Sequence, residues 1–171
     1  MNYLPRGSHV CHTRAMHLHE YQAKQLFSDY GIAVPAGQVL DSSTGVADVA
    51  RQLGGSAWLV KAQVHAGGRG KGGGFRRVDG VEALGSAVNE LLGSRLVTPQ
   101  TGTAGLPVER VLVEQTVAIA REIYLGMLVD RACERVVVMV SAAGGMDIEA
   151  VAASDPAAII TETVNPAAGL Q

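Results

Sequence analysis

Cysteine is nearly absent from this 171-residue sequence, which holds only 2, Cys11 and Cys133. No disulfide framework follows from such a pair, and neither cysteine stands at a spacing from histidine that suits zinc. Aromatic residues make up 4%, too few for the stacking platforms that proteins use to hold single-stranded nucleic acid. Charge is scarce too: 14 basic residues stand against 16 acidic ones, a formal net of -2, so the composition offers no basic face to a phosphate backbone. No apolar run approaches the length of a membrane span. What the chain does have is 47% hydrophobic residues, enough to build a core, and 21 glycines, many of them gathered in one place.

The first fifteen residues, MNYLPRGSHVCHTRA, read as a vector-derived leader carrying a protease-site remnant, LPRGSH, ahead of a start at Met16. Setting residues 1–15 aside removes Arg6 and Arg14, leaving 12 basic against 16 acidic residues and a formal net of -4. It also removes His9, His12 and Cys11, so the chemistry-bearing residues that remain include His17, His19, His65 and Cys133. A single cysteine and no signal-peptide pattern before Met16 point to a reducing, soluble compartment.

Helical periodicity runs through LHEYQAKQLFSDYG, with Ala23, Leu26, Phe27 and Tyr30 on one expected buried face and Gly31 as its stop. An extended piece follows from Pro35 to Val39. Ser42 and Ser43 are candidate caps for a second helix, GVADVARQL, which ends at Gly54-Gly55, and AWLVKAQV reads as a buried strand. Asp79 is the expected cap of a third helix, with Glu82 at the capping-box position and Val81, Leu84, Val88 and Leu91 on its apolar face. SRLVTPQTGTAGLP is rich in turn formers. Three strands are then predicted, VERVLVEQ, REIYLGMLVD and ERVVVMVS, the last two joined as a hairpin across Arg131-Ala132-Cys133. This mixture predicts an α+β, or mixed α/β, fold with two lobes meeting near residues 111–118.

Between the strand ending near Lys61 and the strand-like Phe75-Arg76-Arg77-Val78 lies a segment dominated by glycine, AGGRGKGGG. The P-loop pattern is excluded, since it needs glycine at His65 and a hydroxyl at Gly72. Gly68, Gly70 and Gly73 satisfy GxGxxG, but a dinucleotide fingerprint requires a helix next, and a strand follows instead. A lone island of Arg and Gly is a weak RNA-binding signal. The remaining reading is a turn between antiparallel strands that lets backbone N–H groups lie against phosphate oxygens, with the Lys61 ammonium close by as a point charge. The competing reading is an exposed hairpin tip with solubilising charge.

Glu114 and Glu122 close one predicted strand and open the next. Such carboxylates accept hydrogen bonds from ribose hydroxyls in nucleotide sites, or simply face solvent at strand ends. His65 beside the loop is a candidate proton shuttle or phosphate contact, though lone histidines more often pack or sit in water. Cys133 lacks a setting that would make its thiol reactive. Asp147 and Glu149 are acids at i and i+2, a spacing that suits a metal or a solvated face.

The start MHLHEYQAKQLFSDYGIAVP, the block WLVKAQVHAGGRGKGGG, the run RLVTPQT, and VLVEQTVAIAREIYLGMLVDR with VVVMVSAAGGMDIE resemble the N-terminal part of the β subunit of ADP-forming succinyl-CoA synthetase (succinate-CoA ligase). The malate-CoA ligase β subunit is closely similar. The resemblance covers residues 16–171 and implies an ATP-grasp fold, incomplete at the C-terminus, in which the glycine-rich hairpin closes over the phosphates of ATP or ADP. By position it implies that Lys61 and Gly68, Arg69 and Gly70 meet the phosphates, that Glu114 and Val117 meet the adenine, and that Glu122 reaches the ribose. It further implies an acid-thiol ligase of the tricarboxylic acid cycle, bacterial and cytoplasmic. With an α subunit that carries a phosphorylated histidine, such a ligase joins a dicarboxylic acid to coenzyme A. None of His17, His19 and His65 matches that histidine. The Mg2+ ligands, much of the acid site and the CoA-ligase domain are expected beyond Gln171, so this stretch alone is expected to be inactive. Another ATP-grasp carboxylate ligase and a non-enzymatic RNA-binding module are the alternatives; neither nucleic acid nor membrane is an expected partner.

Overall fold

The computed structural model describes residues 17–145 and 148–169, so the leader expected at 1–15 and the candidate Asp147 lie outside the described residues. The chain divides after Val117 into two compact units. In the first, β1 (Gly37–Leu40), β2 (Ala57–Ala62), β3 (Phe75–Asp79) and β6 (Val111–Gln115) form an antiparallel sheet in the order β1-β6-β2-β3. Helices α2 (Val46–Leu53) and α3 (Val81–Leu91) pack on one face of it. Strand alternation explains which face: Trp58, Val60 and Ala62 of β2 and Val111 and Val113 of β6 join Val49, Leu84 and Val88 in the core. Leu59 and Lys61, with Leu112 and Glu114, therefore occupy the opposite face, where Leu59 pairs with Glu114 and Lys61 with Leu112.

Helix α1 (Glu20–Asp29) meets that second face, and here the sequence expectation fails. No residue of α1 is buried; Leu26 and Phe27 are about half exposed and Tyr30 is 84% exposed. The helix presents Glu20 and Lys24 to the sheet instead, because charged partners lie beneath it.

The expected side-chain caps are also corrected. Gly45 caps α2 in place of Ser42 or Ser43, and Gly80 caps α3 in place of Asp79, both at positive φ and without a side-chain cap bond, so Glu82 closes no capping box. The turn-rich segment holds a short ladder, β4 (Arg95–Leu96) with β5 (Leu106–Pro107). The predicted strand through Val64 stops at Ala62, and that through Gln115 begins only at Val111.

In the second unit β7 (Tyr124–Asp130), β8 (Arg135–Ser141) and β9 (Ile159–Thr163) form an antiparallel sheet, and β7 and β8 are the hairpin that the sequence predicts. Helix α4 (Ile148–Ser154) and β9 fall in a stretch whose sequence carries no clear period. Among the described residues no helix is long and apolar enough to cross a membrane.

Leu84 is fully buried where α3 meets the sheet. Leu84→Ala is expected to lower the stability of the first unit by roughly 2–5 kcal/mol. Trp58 is the chain's single tryptophan and lies in the same core, so its fluorescence during urea unfolding reports on this unit alone. The midpoint should fall with an unchanged slope.

Candidate functional site

Lys61 and Glu114 share the face of the sheet that α2 and α3 leave uncovered, and Glu114 is 2% exposed there. A carboxylate buried to that degree needs cations. The Lys61 ammonium stands 2.7 Å from Glu114 Oε2, and Lys24 of α1 pairs with the other oxygen, Oε1. Glu20, one turn before Lys24, completes the cluster. Its Oε1 accepts from Lys61 at 2.9 Å and lies 3.2 Å from Lys24, while its Oε2 accepts from Arg69 Nη2 at 2.8 Å. Three cations and two carboxylates thus meet at one place, with a net of one positive charge.

Burial works against ionisation of Glu20. The hydrogen bond from Lys61 and the charges of Lys61, Arg69 and Lys24 outweigh it and hold the carboxyl at a pKa of about 2. Burial likewise opposes the charge on Lys61, but its bonds to Glu114 and Glu20 raise its pKa above the usual lysine value.

The glycine-rich segment is the connection of the β2–β3 hairpin, as its sequence suggests, but it is not an open tip. Turn bonds fold it on itself, from Gly72 N–H to Gly68 C=O at 3.0 Å and from Gly74 N–H to Arg69 C=O at 2.8 Å. It is seated on residues 96–100: Gly67 N–H donates to Gln100 Oε1 at 2.7 Å, and a Cβ on Gly72 would strike the Val97 carbonyl oxygen. Gly68, at φ +71°, sits where an added Cβ would come 3.0 Å from Pro99. This seat aims Arg69 inward. Its Nη1 donates to the Ala62 carbonyl at 2.8 Å, and its guanidinium lies 5.1 Å from the Phe75 ring, with Lys61 5.5 Å from the same ring.

Around the cluster lie two cavities. One, of ≈ 350 Å³, lies between α1 and the sheet beside Lys24 and Glu114, with Pro35, Gly37, Val39 and Leu112 in its walls. The other, of ≈ 490 Å³, is bounded by Glu20, His65, Gly67, Arg69 and Gln100. Next to it, His19 stacks on His65 at 3.9 Å between ring centroids. Burial first, then the charges of His65, Arg110 and Arg69, lower the His19 pKa against the opposing pull of Glu109.

Of the residues singled out in the sequence, Lys61, Arg69 and Glu114 come together through Glu20. Gly68 and Gly70 flank Arg69 in the loop. Glu114 is not the solvent-facing strand end that one reading allowed. Val117 is 56% exposed and is the last residue of the first unit. Glu122 belongs to the second unit, exposed and ahead of β7 rather than opening it, where an added Cβ on Gly145 would meet its carboxylate. Cys133 is exposed. Sequence reasoning missed Glu20, Lys24 and Phe75. The one available signal was the i, i+4 spacing of Glu20 and Lys24, which by itself describes an ordinary surface pair.

Comparison with known proteins adds a lineage to this geometry. The family described as ATP-grasp domain matches residues 17–171. Over 156 residues the chain is 60% identical to the protein named succinate–CoA ligase [ADP-forming] subunit beta of Halorhodospira halophila, and 55% identical to the protein of the same name from Coxiella burnetii. Each match takes in 91% of this chain and 40% of the relative, so the chain spans about two fifths of the length of these curated relatives. Among solved structures, ATP citrate lyase from Methanothrix soehngenii, in complex with citrate and coenzyme A, has a TM-score of 0.65 at 18% identity, covering 89% of this chain and 35% of that one. That likeness concerns the fold alone.

The low pKa of Glu20 gives the cluster an acid limb. A carboxyl whose pKa drops on folding from 4.5 to about 2 contributes stability that is complete above pH 4.5 and is lost as the pH falls toward 2. The difference in melting temperature between the wild type and Glu20→Gln is expected to be constant above pH 4.5 and to shrink below it. A difference that holds its size at pH 3 would show that Glu20 is not ionised against these cations.

Proposed function

Because this chain belongs to the ATP-grasp family, we propose that it is the nucleotide-binding part of the β subunit of an ADP-forming succinate-CoA ligase. With an α subunit, that enzyme moves the γ-phosphoryl group of ATP to a histidine of the partner, and the phosphohistidine then activates a dicarboxylic acid for capture by the thiol of coenzyme A. The observation that carries the reading is the convergence of Lys61, from the end of a strand, and Arg69, from the glycine hairpin, on one point beside two cavities. A phosphoryl group in transfer carries charge spread over its oxygens, and fixed cations with backbone N–H groups are what stabilise it. In this proposal Lys61 and Gly68 to Gly70 take the phosphates, while Glu114 and Val117 meet the base, the ≈ 350 Å³ cavity at Glu114 giving it room. Val117 can contribute only backbone groups.

The family's magnesium ion is a separate matter. No group of three or more His, Cys, Asp or Glu side chains that could hold a metal occurs among the described residues. These residues do not fit a magnesium site of their own. Succinate is favoured over malate by the names of the relatives alone. The RNA-binding alternative gains nothing from the structure, since Arg69 is turned inward onto Glu20 and Ala62.

In the complete two-subunit enzyme, Lys61→Ala is expected to raise the KM for ATP by at least tenfold, the loss of one charge-assisted contact, and to leave succinate binding near its original strength. Equal losses for both ligands would overturn the assignment of Lys61. With γ-labelled ATP, acid-labile label on the α subunit is the expected result. A folded complex that binds nucleotide and transfers no label would leave the fold reading in place and remove the ligase reading.

A further inference from the structure

Lys61 and Arg69 reach their meeting point in different ways. Lys61 has a fixed strand backbone but a long, mobile stem, whereas Arg69 projects from a loop with glycine on both sides. Both cations also lie within about 5–6 Å of the Phe75 ring, so they repel each other unless an anion stands between them. Glu20 is that anion, with one carboxylate oxygen on each cation.

We infer that Glu20 is a positioning residue of the nucleotide site, holding the Lys61 ammonium and the Arg69 guanidinium at one point so that their remaining N–H groups face phosphate oxygens. This rests on the reading of Lys61 and Gly68 to Gly70 as phosphate-binding. Hydrogen-bond capacity supports it. Among the described residues, the bonds of Lys61 to Glu20 and Glu114 leave one of its N–H donors, and those of Arg69 to Glu20 and Ala62 leave three. Glu20 therefore orients both cations without saturating them. Two side chains with many rotamers are ordered before the ligand arrives, which lowers the entropic cost of binding. The construction of α1 fits the same role. The helix buries no residue of its own, and polar contacts hold its first turns: Lys24 on Glu114, the Tyr21 N–H on Gln63 Oε1 at 3.2 Å, and Glu20 on the two cations.

The rival role for the same contact is competition, in which Glu20 blocks the cations until phosphate displaces it. The two roles predict opposite signs. Isothermal titration of the complete two-subunit enzyme with ADP and, separately, with adenosine distinguishes them, using the wild type, Glu20→Gln and Glu20→Asp. Asp29→Ala, which removes an exposed contact to Gln25 on the same helix, serves as the control. Positioning predicts that Glu20→Gln weakens ADP about tenfold and leaves adenosine unchanged. Glu20→Asp, which keeps the charge but is one methylene too short to span both cations, should lie between Glu20→Gln and the wild type, and Asp29→Ala should bind as the wild type does. Tighter ADP binding by Glu20→Gln, or equal weakening of ADP and adenosine, overturns the inference while the phosphate reading of Lys61 and Arg69 stands. Failure of the wild-type enzyme to bind ADP at all overturns both.

Discussion

A carboxylate in the middle of a β-sheet is an expensive thing to fold around, and Glu114 is one. Its burial fixes much of what surrounds it. Two cations are drawn to it, Lys61 from the adjacent strand and Lys24 from a helix that has no hydrophobic reason to be there. Glu20 then joins Lys24 and Lys61 to Arg69, so one buried charge organises a strand, a helix and a loop through a chain of ion pairs. The same contacts that dock α1 also set the positions of the groups proposed to meet phosphate. Fold and site are in this region one interaction.

The glycine hairpin illustrates a second constraint. Glycine is usually read as freedom, yet Gly72 is needed because the Val97 carbonyl comes too close for a Cβ, and Gly68 because its φ of +71° is one that side chains rarely adopt. The loop is consequently seated, with Gln100 bonded to its backbone and Arg69 turned toward the sheet. A backbone that is already ordered loses little on meeting a ligand, which suits the proposed phosphate contact.

How much of this was legible depended on whether apolar burial or charge decided a given element. Leu84, Val88 and Leu91 announce the buried face of α3 by spacing, and Lys61 lies near the end of its strand as expected, although that strand was drawn two residues too long. The hairpins β2–β3 and β7–β8 were readable from short apolar runs around turn formers. The face of α1 was not, because its apolar residues Leu26, Phe27 and Tyr30 point away from a sheet that demands charge. The caps of α2 and α3 were misplaced for a local reason: glycines at positive φ turn the chain one residue ahead of each helix, where neighbouring serine and aspartate looked the better candidates. Glu20 and the burial of Glu114 escaped in a further way, since the sequence marks a glutamate but not the depth at which it lies.

The strand order β1-β6-β2-β3 bears on how the protein is made. The strand that lies between β1 and β2 is the last of the four in the sequence, so a growing chain holds the β2–β3 hairpin long before β1 has any neighbour in the sheet. Glu20, Lys24, Lys61 and Arg69 have all left the ribosome by then, with no buried carboxylate to gather them. Emergence of Val111 to Gln115 supplies both the missing strand and the anion in one event. The four-stranded sheet and the ion pairs of Glu114 therefore both wait on the same late segment of the chain.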